Sequence, residues 1–222
     1  MIARPGRASR ASYTSDVPLP RSMRGVLQRL ENEARAWREE PMKRVAVRNR
    51  FVHPRRVRQF HEFGARSILD RPQWLYGTHK IAIGEGVIIL RDAWLAVEKP
   101  AWDKPAPVLD IGDGVAIRFG ATISAVDSVV IEEHVGMGAS VSIIDSKHTW
   151  GTGHANPLYG PIESAPVRIG RGSWLADRVT IAAGADIGEQ CSIGPNTTVS
   201  GTIKDHSIVL GNPGRVVGST RS

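Results

Sequence analysis

A single cysteine, Cys191, stands in 222 residues, so no intrachain disulfide holds this chain together. Aromatic residues make up only 6% of it, too few for a core built around large rings. No apolar run approaches the roughly 20 residues that a bilayer-spanning helix needs. The opening segment, MIARPGRASRASYTSDVPLP, lacks the apolar stretch of a secretory signal. A cytoplasmic protein with no membrane span is the expectation. Acidic residues are scarce at the start: residues 1–58 hold 15 Lys/Arg against 5 Asp/Glu, and the remainder holds 14 against 17. A basic arm of this kind suits an anionic surface, but no nucleic-acid motif or interleaved aromatic pattern accompanies it, so no nucleic-acid partner is expected. It reads as a solvated or subunit-packing extension. Within it Met23, Val26, Leu27, Leu30, Ala34 and Trp37 share one helical stripe, with Ser22 placed to cap the helix and Pro41 to end it.

What the chain has in quantity is a six-residue beat. Ile169, Leu175, Ile181, Ile187, Ile193 and Val199 stand six apart, and two residues before each is a small or β-branched partner: Val167, Ser173, Val179, Ala185, Cys191 and Thr197. A helical stripe repeats at 3.6 residues, so this is no amphipathic helix. Residues two apart in a strand share a face, and the Gly, Ala or Ser after each pair lets the backbone turn a corner. The pattern predicts an all-β fold, a parallel β-helix of hexapeptide repeats, in which stacked turns bury a column that no single repeat buries alone. Earlier pairs follow the rule less regularly: Ile81/Ile83, Val87/Ile89, Leu109/Ile111, Val115/Ile117, Ala121/Ile123, Val129/Ile131, Val135/Met137 and Val141/Ile143. The step from Ile123 to Ile131 is eight, so one coil carries two extra residues. The expected division is a basic extension with a short α-helix over 1–62, the β-helix over 63–217 and a tail over 218–222.

Two longer segments interrupt the column, residues 96–107 and residues 146–164, SKHTWGTGHANPLYGPIES. Loops of this length in a compact repeat domain are usually functional or disordered. The second is the candidate for function.

Three stretches carry a family resemblance. PVRIGRGSWLADRVTIAAGADIGEQCSIGPNTTVSG, the close HSIVLGNPGRVV from His206 to Val217, and VSIIDSKH from Val141 to His148 together resemble the hexapeptide-repeat O-acyltransferases of the left-handed parallel β-helix type, in particular the sugar and polysaccharide O-acetyltransferase group. A relation to polysaccharide succinyltransferases is a further branch of the same resemblance. It implies transfer of an acetyl or succinyl group from acyl-CoA as co-substrate to a hydroxyl of a sugar or polysaccharide, with no metal required. It also implies a homotrimer whose active sites lie between subunits.

A sugar hydroxyl attacks a thioester only if a positioned base removes its proton, and histidine titrates near the working pH. The resemblance places that base at His148, before the long loop. Asp145 is the candidate to hold the imidazole tautomer; a solvated turn aspartate is the other reading of it. His154 competes as base, and His134 reads as a corner residue. By resemblance Trp174 walls the coenzyme or acceptor groove, Ala176 and Asp177 line its thioester end, and Gly194, Pro195 and Ser200 lie further along. The chain departs from the family pattern at Ala176, where a glycine is usual, and at Ser200-Gly201, where Thr-Lys is usual. Lys204 or Arg215 would then supply the lost nucleotide-phosphate contact. For a succinyl donor, Lys147 or Arg118 would meet the extra carboxylate. Two alternatives stand beside this reading: a γ-type carbonic anhydrase, which needs three histidines converging on zinc, and a non-catalytic scaffold on the same fold.

Overall fold

The computed structural model describes residues 57–149, 153, 156 and 160–221. All lie in Val45–Ser222, the second of the two units into which the chain divides. The stripe from Met23 to Trp37 and the competing base His154 fall outside the described residues.

The chain winds as a left-handed parallel β-helix with three flat faces, sheets of seven, eight and six strands, each strand two to five residues long. Inner residues stack in register from coil to coil. The first face aligns Phe63, Ile83, Ile111, Ile131, Ile169, Ile187 and Ile203. The second aligns Leu69, Ile89, Ile117, Met137, Leu175, Ile193 and Val209. The third aligns Leu75, Leu95, Ile123, Ile143, Ile181 and Val199. Nearly every member is buried together with the residue two before it, as the period requires. Each buried aliphatic side chain contributes about 1.5–3 kcal/mol, which is how a chain with few rings assembles a core.

Polar members of the inner set are satisfied locally. The Ser173 hydroxyl donates to the Gly188 carbonyl at 2.9 Å and accepts from the Cys191 amide at 3.0 Å. Thr197 Oγ1 accepts from the Gly211 amide at 3.0 Å. These bonds remove the penalty of burying a hydroxyl.

Every change of coil length occurs at one corner. From the first face to the second, and from the second to the third, the inner residues are always six apart. From the third face back to the first the step is eight at Leu75–Ile83, sixteen at Leu95–Ile111, eight at Ile123–Ile131, twenty-six at Ile143–Ile169, six at Ile181–Ile187 and four at Val199–Ile203. Both long interruptions leave and return at this edge. They are also tied to it: Lys104 Nζ pairs with Asp127 Oδ1 and Lys80 Nζ bonds the Lys104 carbonyl, which fastens the first excursion to the coils on either side.

Candidate active site

The second excursion begins as an ordered arm. Ser146–His148 pairs antiparallel with Ile162–Ser164, opposing Ser146 to Ser164, Lys147 to Glu163 and His148 to Ile162. Lys147 Nζ lies 3.2 Å from Glu163 Oε2 on the exposed side of the hairpin, a pair worth little on its own at that exposure. Thr149 extends the pairing, its amide donating to the Pro161 carbonyl at 3.0 Å.

His148 ends the outgoing strand. Its side chain is half-buried, and its Nδ1 is fully buried yet makes no hydrogen bond. Asp145, three residues earlier, is not joined to it. Asp145 is completely buried, and its carboxylate accepts three backbone amides from the preceding coil: Val126 at 2.8 Å on Oδ1, Asp127 at 2.7 Å and Ser128 at 2.9 Å on Oδ2. Its carbonyl also accepts from the Ala165 amide at 2.9 Å, where the excursion returns. Burial pushes its carboxyl above the usual aspartate range, while the three amides pull the other way and only partly offset it. Asp145 therefore clamps the corner at 125–128, the two-residue insertion of that coil, and fixes the base of the hairpin.

Beneath the hairpin, on the third face, lies a mainly apolar groove of about 400 Å³ lined by Ile144, Ser146, Lys147, Thr180, Ala182 and Ser200, among others. Ile144 is 36% exposed there, a large apolar side chain facing outward from a strand. The groove is open on its outer side.

The remaining candidates are distributed around the coil. Ala176 and Asp177 stack with Gly194 and Pro195 at the corner between the second and third faces, where the Ala176 amide donates to Ile193 and the Asn196 amide to Asp177. Asp177 Oδ1 accepts the Ala139 amide at 2.7 Å. Gly138 is required beside it, because a Cβ there would sit 2.4 Å from that oxygen. The same clamp recurs where Asp205 takes the Glu189 amide at 2.9 Å and Asp113 the Glu85 amide at 2.7 Å. Trp174 is on the second face, 45% exposed, its ring lying across Gly136. Lys204 lines a polar depression with Arg168, Asp186, His206 and Arg221. Arg215 is exposed on the last strand, Arg215–Ser219, antiparallel to Ser207–Leu210.

Within one chain, then, the structure brings Ser200 into the groove beside the hairpin that bears His148. It does not bring Trp174, Lys204 or Arg215 there. Ile144, Thr180 and Ala182 line the groove and escaped the sequence reading; their signal is the outward position next to each inner residue of the third face. Lys147, offered for a succinyl carboxylate, already has Glu163, and Arg118 lies over the Phe119 ring, 5.7 Å from its centroid. Among the described residues no three His, Cys, Asp or Glu side chains converge as a metal-binding group, and no helix among them is long and apolar enough to cross a membrane.

Residues 166–201 match the bacterial transferase hexapeptide (six repeats) family. The chain is similar to a protein of Escherichia coli named for O-acetyl transfer in lipopolysaccharide biosynthesis, 28% identical over 118 residues, which are 50% of this chain and 60% of that one. It is also similar to a protein of Mycobacterium tuberculosis named a probable acetyltransferase, 41% identical over 114 residues, 49% of this chain and 36% of that one. The chain thus spans about three fifths and one third of the lengths of these two relatives. A solved N-acyltransferase from Bacillus cereus, in complex with dTDP and coenzyme A, matches with a TM-score of 0.62 at 16% identity, over 73% of this chain and 85% of that one. At that identity the likeness speaks for the fold.

Proposed function

We propose that this chain is an acyl-CoA-dependent O-acyltransferase that moves an acetyl group onto a sugar hydroxyl, with His148 as general base. The observation that carries the proposal is the half-buried His148 at the end of a strand whose Ser146 and Lys147 line an outward-facing groove. The names of the similar proteins support the chemistry, one for O-acetyl transfer and one solved with coenzyme A. In this reading residues 63–217 are the catalytic coil, residues 1–62 a basic arm and residues 218–222 a tail.

The steps follow from the residues. The imidazole accepts the proton of the acceptor hydroxyl as its oxygen attacks the thioester carbonyl, which avoids a free alkoxide. The tetrahedral oxyanion needs preorganised donors, and corner amides are the natural source in a coil. Collapse breaks the carbon–sulfur bond, and the imidazolium returns its proton to the departing coenzyme A thiolate. The ester and free coenzyme A leave, and the histidine is neutral again. No covalent enzyme intermediate is needed. Ile144, Ala182 and the stem of Lys147 suit the apolar part of an acyl-pantetheine arm, and Ser200 sits at the groove's far side. Trp174 and Lys204 stand on other faces, and a homotrimer with sites between subunits would bring them to this groove from a neighbouring copy. The choice between acetyl and succinyl belongs to experiment, since Lys147 already has a carboxylate partner.

The test is a screen of acetyl-CoA and succinyl-CoA against mono- and oligosaccharides, following thiol release and product mass. His148→Ala should slow turnover by about 10²- to 10⁴-fold with the far-ultraviolet spectrum unchanged. Wild-type turnover in that folded variant would remove His148 as base and move the assignment to His154.

A further inference from the structure

Reading the third face outward, away from the core, gives a continuous surface track. Trp74 stands in register with Trp94, Trp94 with Thr122, Thr122 with Ser142, and Ser142 with Thr180. The neighbouring outward column runs through Ser124 and Ile144, which are paired in register and lead into the groove under the hairpin. One end of the face is therefore the groove. The other end is aromatic.

That aromatic end is a built surface. Trp74 and Trp94 stack with ring centroids 5.3 Å apart and planes 22° from parallel. Trp74 is 48% exposed. Behind them Tyr76 packs on Trp102 at 5.4 Å, and the Trp102 indole N–H is held by the Val97 carbonyl at 2.9 Å. Trp102 is thus a fixed wall, whereas Trp74 stays about half exposed beside Trp94 and Tyr76. Exposing a large ring costs free energy unless something covers it.

We infer that the third face is an extended acceptor track, with Trp74 and Trp94 as a stacking platform for a sugar ring remote from the reacting hydroxyl, and that the acceptor is an oligosaccharide or polysaccharide. The inference deepens the proposed sugar acceptor and rests on it. Three strand spacings separate the Trp74 strand from the Ser142 strand, about 14 Å at ~4.8 Å each, a span that takes more than one ring. The chemistry fits at both ends. An apolar C–H face of a pyranose covers an indole, while Thr122, Ser124 and Ser142 between platform and groove offer hydroxyls that both donate and accept, as a polyol requires. The other occupant of such a face is a second copy of the chain. Stacked rings suit either occupant, since aromatic residues are enriched at interface cores; the hydroxyls of Thr122, Ser124, Ser142 and Thr180 that run from the rings to the groove argue for glycan, because serine is depleted there.

The test is direct binding of gluco-, manno- and galacto-oligosaccharides of about six units, each against its monosaccharide, by tryptophan fluorescence and calorimetry with no coenzyme present. Binding needs no turnover, so this result stands apart from the acyl-transfer screen. The expected outcome is that at least one oligosaccharide binds at least tenfold more tightly than its monosaccharide and shifts the tryptophan emission. Trp74→Ala should weaken that binding about three- to tenfold, the scale of one lost aromatic contact, and Trp74→Phe should restore most of it. Two results would overturn the inference: no oligosaccharide preferred over its monosaccharide, or Trp74→Ala binding as wild type. A drop in oligomer mass by light scattering on Trp74→Ala would overturn it too, assigning the platform to a second copy.

Discussion

Asp145 separates two roles that a carboxylate near a candidate base can play, and its replacement tells them apart. Alanine there orphans three amides at once. That of Val126 is buried, while those of Asp127 and Ser128 are in partly buried residues. A buried amide left without a partner costs about 1–3 kcal/mol, and partial access to water reduces the other two, so the loss should be about 3–5 kcal/mol. Against a typical total of roughly 5–15 kcal/mol, that is a severe destabilisation. Asparagine should cost less, about 1–3 kcal/mol. Its carbonyl can keep the Asp127 and Ser128 amides, but its amide group then faces the Val126 N–H, donor against donor. Loss of the charge itself adds little, since burial outweighs the three amides in setting the carboxyl's proton affinity. Urea titration followed by circular dichroism should give the order wild type, Asp145→Asn, Asp145→Ala, with the folded asparagine variant turning over within about tenfold of the wild-type rate. Unchanged midpoints accompanied by a hundredfold or greater loss of turnover would refute the clamp and return Asp145 to the service of His148.

Two other outcomes follow from the core. Ile187→Asp places a carboxylate in the first-face column between Ile169 and Ile203, where the native side chain is fully buried, and should cost more than about 4 kcal/mol; a soluble variant with an unchanged melting temperature would show the register to be wrong. Cys191 is 2% exposed, its Sγ lies 3.1 Å from the Lys204 carbonyl, and burial pushes its thiol up. Because the thiolate is the reactive form, Ellman's reagent should leave Cys191 untouched in native protein at pH 8 and titrate one thiol after denaturation, and rapid native labelling would contradict its placement.

The inner columns were legible because a six-residue period has one physical solution: Ile187, Ile193 and Val199 had to face inward together. The extra residues between Ile123 and Ile131 were equally plain as a count. What held them was not, since the Val126, Asp127 and Ser128 amides meet the two oxygens of a carboxylate 17 to 19 residues later in the chain. Adjacency across coils depends on the length of the excursions between them, and only the folded register supplies it. Ile144, Thr180 and Ala182 were hidden for the same reason. Each looks unremarkable alone, and the groove exists only where their strands lie side by side. The resemblance named His148 as base and put Ser200 further along the coenzyme groove; the structure adds that Ser200 lines the groove beside the hairpin, and that Trp174, Lys204 and Arg215 stand on other faces of the same chain.

The single corner that absorbs all changes of coil length has a consequence for how such a chain can diversify. Two edges of the prism behave as a ruled scaffold, where adding one residue would rotate every later strand and turn its inner side chains outward. The third edge behaves as a seam. Length can be gained or lost there, by two residues or by twenty, without disturbing the phase of the next face. Whatever specificity this protein has for its partners can therefore be rewritten along one line of its surface while the buried columns go on unchanged.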